Sequence, residues 1–129
     1  MFHAAATGDN AILELLLDKG AVVNARSASG YTPLMAAAEE GCAKTVQHLL
    51  DHGAELNACD HHGNSALLGS VWWGHAGVAK LLIDAGAEVR IENDGGISPW
   101  KAAVTHDDRE MQQLLREAGA KPGLFRRLF

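Results

Sequence analysis

Residues 30–57 read GYTPLMAAAEEGCAKTVQHLLDHGAELN, and the rest of the chain is this stretch again at a spacing of 33 residues. Glycines recur in three columns: Gly20, Gly53, Gly86 and Gly119; Gly8, Gly41 and Gly74; Gly30, Gly63 and Gly96. Aliphatic pairs recur in the same phase at Leu16/Leu17, Leu49/Leu50 and Leu82/Ile83, with Leu115 alone in the last copy. A fixed period of this size predicts a solenoid, in which each unit buries its apolar face only by stacking on its neighbours.

One unit can be built from its own residues. The Thr32 hydroxyl suits a helix N-cap, and Pro33 suits the first helical turn because its missing N–H would have had no partner there. Leu34, Ala37 and Ala38 follow at helical spacing as a small-residue stripe, which lets neighbouring units approach closely. Gly41 ends this short helix. A second helix carries Val46, Leu49 and Leu50 on one face, and Gly53 supplies the left-handed residue that commonly terminates a helix. Residues 54–65 then form a loop with a tight turn at Gly63.

Thr32-Pro33-Leu34, Ala37-Ala38, Gly41, Leu49-Leu50, Gly53-Ala54 and Asn57-Ala58 together closely resemble the ankyrin repeat. The resemblance implies an all-α ankyrin solenoid of helix-turn-helix units with short β-turn loops. Its boundaries fall at residues 1–29, 30–62, 63–95 and 96–120, followed by a tail over 121–129. It also implies that Asn24 and Asn57 stabilise their loops through backbone hydrogen bonds, and Arg90 in the asparagine's place puts that interaction in question at the third copy. The first unit is incomplete, because Met1 and Phe2 fall where Leu34 and Met35 stand in the second. In the fourth, Trp100, Lys101, Gln112 and Arg116 replace Leu34, Met35, Val46 and Leu50, the composition of a capping repeat whose outer face meets water. In the third, Gly69-Ser70 replaces two of the alanines and is expected to loosen that helix.

Composition narrows the function. The net charge of −5 includes three cations in the tail, Lys121, Arg126 and Arg127, so residues 1–120 carry −8. An acidic body argues against nucleic acid as a partner, since phosphate binding needs a basic face. No apolar run reaches membrane-spanning length, and the N-terminus lacks the basic start and apolar run of a signal peptide. Cys42 and Cys59 occupy different places in their repeats and form no disulfide framework, which points to a reducing, cytoplasmic setting.

The sequence holds no nucleophile elbow, phosphate-binding glycine loop or HExxH motif, so no enzymatic activity and no cofactor are expected. A metal- or small-molecule-binding module built on His48, His52 and Cys59-Asp60-His61-His62 is one alternative. The period weighs against it by aligning His48 with Leu15, Leu81 and Leu114, positions read as facing the core, so no metal ligands are assigned. A structural fragment of a longer repeat array is another. The tail KPGLFRRLF, apolar on one side and basic on the other as a helix, is expected to cap the fourth repeat or to engage a partner.

The expected function is protein–protein recognition by a monomeric, largely pre-formed surface. In ankyrin proteins the turn tips and the ends of the first helices line the binding groove. Carried across, these positions give Tyr31, His61, His62, Asn64 and Ile97 at the turns, and Glu39, Glu40, Trp72, Trp73 and His106 at the helix ends. Trp72 and Trp73 align with Glu39-Glu40 and Thr105-His106, small or polar columns rather than core ones. The expected partner is a protein with a basic or amphipathic segment seated across repeats two and three.

Overall fold

A computed structural model of the chain describes Ala5, Leu15, Leu16 and residues 18–119. About half of the first unit and all of the tail lie outside these residues. So does the expectation that the tail over 121–129 caps the fourth repeat or engages a partner. Six α-helices follow one another among the described residues: α1 (Pro33–Glu40), α2 (Ala43–Asp51), α3 (Ala66–Trp72), α4 (Ala76–Asp84), α5 (Pro99–Thr105) and α6 (Arg109–Glu117). There is no strand among the described residues, only an isolated bridge between Cys59 and Ser65. The all-α repeat solenoid expected from the period is what the chain forms.

Each first helix starts on a hydroxyl. Thr32 Oγ1, Ser65 Oγ and Ser98 Oγ accept from the N–H groups of Met35, Leu68 and Lys101 at 3.3, 3.1 and 3.1 Å. This satisfies one of the donors that a helix start leaves unpaired. Each also closes in one way: the N–H of Cys42 donates to Ala37 O at 3.1 Å, His75 to Ser70 O at 2.8 Å and Asp108 to Ala103 O at 2.9 Å. That closure passes through a left-handed residue. Gly41 and Gly74 supply it without strain at φ 75° and 77°, whereas the fourth unit uses Asp107 at φ 51°.

The helices form two layers. First helices stack in the order α1, α3, α5, and second helices in the order α2, α4, α6, with each pair also packed within its unit. Ala37, Ala38, Ala102 and Ala103 are wholly buried where first helices meet, and Leu34, Leu67, Leu49, Leu82 and Leu115 fill the space between the layers. Burial of each such leucine contributes about 1.5–3 kcal/mol. Leu115 is as deeply buried as Leu49, so the fourth unit keeps its core while its rim turns polar. There Arg116 is exposed and lies over the Trp100 ring, 5.6 Å from its centre.

The loops are stitched from one unit to the next. Asn24 donates through Nδ2 to Gly53 O at 3.1 Å and accepts at Oδ1 from Glu55 N–H at 2.7 Å. Asn57 Oδ1 accepts from Glu88 N–H at 2.8 Å. At the third copy Arg90 keeps part of this series. Its Nε donates to Gly119 O at 2.9 Å, the counterpart of the Asn24–Gly53 bond. A guanidinium has donors but no acceptor, so it can reproduce the donating half of the asparagine's work and not the accepting half.

Candidate partner-binding groove

The turns that carry half of the expected site are held by one residue column. Ser27 Oγ accepts from Tyr31 N–H at 3.1 Å. Asp60 Oδ1 accepts from the N–H groups of His62 and Asn64 at 2.8 and 3.0 Å, and Asn93 Oδ1 from those of Gly95 and Ile97, both at 2.9 Å. Side-chain oxygens of this kind fold the chain back on itself as a backbone turn would. Burial works against the charge on Asp60, but the two amides, together with the Asn64 side chain and His62, outweigh it and hold its pKa below the ordinary carboxylate value. Adjacent tips are then joined through the backbone, His61 N–H to Ser29 O at 2.8 Å and Asp94 N–H to His62 O at 2.9 Å. The row of tips is therefore a fixed edge.

Beside this edge the ends of the first helices form a cleft of about 200 Å³ lined by Glu39, Leu68, Gly69, Trp72, Trp73 and Ile97, with Asn64 and Asn93 at the turn side. Gly69 is what makes room for it. A β-carbon there would stand 2.9 Å from Glu39 Cγ, so the absence of a side chain on α3 lets Glu39 of α1 lie across that helix. Tyr31 Oη then donates to Glu39 Oε2 at 2.5 Å, fixing the carboxylate at the cleft wall. Burial, followed by the Glu39 bond and the charges of Glu39, Glu40 and Asp60, pushes the Tyr31 phenol well above its ordinary pKa. It stays a neutral donor at physiological pH.

Both tryptophans face outward. Trp72 is 37% exposed and Trp73 63%. Trp72 meets His106 edge to face, with ring centres 4.4 Å apart, which steadies its ring without burying it. Gly69 and Ser70, expected to loosen α3, each have a packing role in it. Ser70 is wholly buried and bonds back to Leu67 O at 2.7 Å, and Gly69 is the seat of the Glu39 side chain.

The remaining expected residues divide by surroundings. His61 and His62 are exposed at the tips, with the His61 ring lying against Gly30. Ile97 is half-buried, packed against the core, and forms part of the cleft floor. Asn64 lines the cleft, but its amide is engaged with Asp60 and with Asn93, which donates to it at 2.9 Å. Glu40 is exposed on a second cleft of about 330 Å³, shared with Glu39, Trp73 and His75. His75 was not singled out from sequence. Its Nε2 donates to Glu39 O at 2.8 Å and its ring packs on Gly41, so it ties the end of α1 to the next unit. Its signal was the period, which places it opposite Cys42 and Asp108 at the second-helix start.

The histidine-rich stretch is dispersed. The His48 column lies on the flank of the second-helix layer: His48, Leu81 and Leu114 are half-buried, the two leucines packed against the core, and only Leu15, 53% exposed, departs from the expected core-facing column. His52 Nδ1 donates to His48 O at 2.8 Å, and the Asp60 carboxylate is occupied by its turn. Among the described residues no three His, Cys, Asp or Glu side chains come together as metal ligands would. Cys42 and Cys59 are free thiols, and burial pushes both above the ordinary thiol pKa, which disfavours the reactive thiolate.

A family profile described as ankyrin repeats matches residues 1–93 in three copies. The chain belongs to the ankyrin repeat family. No match to a curated protein was found. In this ankyrin repeat chain the helical pair continues past the matched segment, since α5 starts on a serine cap as α3 does, and α5 and α6 stack on α3 and α4. Ankyrin repeats are generally protein–protein interaction modules, and no helix among the described residues is long and apolar enough to cross a membrane.

Proposed function

We propose that this ankyrin repeat chain, acting as a monomer, binds a partner protein through the cleft of Glu39, Trp72 and Trp73 and the turn tips beside it. One observation carries the reading: two adjacent tryptophans stand exposed around a cleft floored by Leu68 and Ile97. Exposed aromatic surface of this kind marks interaction sites, and tryptophans dominate binding energy where they become buried by a partner. The surrounding turns are fixed by side-chain and backbone bonds, so little order is lost on binding.

The test is selection of a random peptide library on the full chain, with the Trp72→Ala variant as counter-target. Truncating an interface tryptophan commonly costs about 2 kcal/mol or more, so peptides seated in the cleft should bind the variant at least about tenfold more weakly. The melting temperature should move little, since Trp72 fills no core space. Selected peptides that bind Trp72→Ala as well as wild type, or a variant that unfolds, would remove Trp72 from the proposed site.

A further inference from the structure

We infer that the partner segment carries paired basic side chains, one seated on each side of Trp73, each meeting an indole and a carboxylate. This rests on the groove reading above and names the chemistry of its occupant. Trp73 and Glu39 line both clefts: the first adds Trp72, and the second adds Glu40 and His75. Each space therefore offers aromatic surface together with an anion, the combination that attracts a guanidinium or ammonium group. The described residues lining the two clefts include no Lys or Arg. The contrast lies in the next repeat, where the exposed face of Trp100 is already covered by Arg116 at 5.6 Å.

The anion is pre-positioned. Tyr31 Oη and the gap above Gly69 hold the Glu39 carboxylate against the cleft wall, so a cation arriving there does not have to order it. Leu68 and Ile97 provide an apolar floor along which the methylene stem of a basic residue can lie while its charged head reaches Glu39. Residues 1–120 carry −8, so the surrounding field draws a basic segment in.

The probe is the set of selected peptides that depend on Trp72. In these, each arginine is replaced by citrulline, which keeps shape and removes charge, and each lysine by norleucine. The expected result is that these peptides contain paired basic residues and that neutralising either weakens binding to the full chain at least about tenfold. That penalty should shrink to about threefold or less on the Glu39→Gln/Glu40→Gln chain, in which the new amide oxygen at position 39 can still accept from Tyr31. Glu40→Gln alone serves as a second variant, because Glu40 is exposed. Trp72-dependent peptides without basic residues, or ones that tolerate citrulline, would overturn the inference and leave the groove standing. Peptides indifferent to Trp72 would overturn the groove reading itself, and this inference with it.

Discussion

Gly69→Ala separates the stability of α3 from the architecture of the cleft. Gly69 lies mid-helix, where replacing glycine by alanine gains about 0.5–1 kcal/mol through backbone entropy. The new methyl would stand 2.9 Å from Glu39 Cγ, closer than real β-carbons approach, so the flexible Glu39 side chain must move. Its movement breaks the 2.5 Å bond from Tyr31. A hydrogen bond to a charged group is worth about 1.5–3 kcal/mol when buried, and closer to 1 kcal/mol at this half-buried site. The two effects offset, and urea unfolding should give a stability within about 1 kcal/mol of wild type. The cleft, however, loses its oriented carboxylate. Tyr31 is the single tyrosine of the chain, so ultraviolet difference spectroscopy reads its ionisation directly. With Glu39 displaced, the Gly69→Ala phenol should ionise at lower pH than the wild-type phenol, and basic peptides should bind about tenfold more weakly. An unchanged phenol titration together with unchanged peptide affinity would refute the view that Gly69 seats Glu39.

Two further outcomes follow from single residues. Asp107→Gly should stabilise the chain by about 0.5 kcal/mol, because a left-handed residue other than glycine costs about 1–2 kcal/mol and glycine gives back only part of that in unfolded-state entropy. The Asp107–Arg109 pair lost in the process is highly exposed on both sides and contributes almost nothing. A thermal melt in which Asp107→Gly falls below wild type would contradict the assignment of strain at φ 51°. Tyr31 also predicts an alkaline weakness. A phenol becomes charged on losing its proton, so its raised pKa means that the fold favours the neutral form. That contribution is complete below the unfolded chain's value of 10.0 and is lost as pH rises toward the folded value. Tyr31→Phe should therefore be less stable than wild type by about 1 kcal/mol at neutral pH, with the gap closing above pH 10.0. Parallel stability profiles for the two chains across that range would rule this out.

Why some of this was legible in the sequence and some was not follows from which interactions obey the period. Helix starts, helix ends and core leucines depend on residues within one unit. Thr32, Gly41 and Leu49 therefore announce themselves by spacing alone, and Asp107 could be placed opposite Gly41 and Gly74 before any coordinates. The Ser27–Asp60–Asn93 column is equally periodic but hidden in the sequence, because three different residue types perform one task there and only the shared side-chain oxygen reveals it. Arg90 shows the same limit from the other side, replacing an asparagine by an unlike residue that keeps one of its two bonds. The cleft was the least legible part. Its residues were named column by column, yet what joins them is a departure from the repeat: glycine at 69 where Ala36 and Ala102 stand in the neighbouring units. Read within its own helix, that glycine is a defect that costs stability. Only with α1 stacked against α3 does it become the space that Glu39 occupies, with Tyr31 holding the far end of the carboxylate. In a solenoid the repeating columns build the frame. Chemistry specific to one chain is then best sought where a column is broken and the adjacent unit has filled the gap.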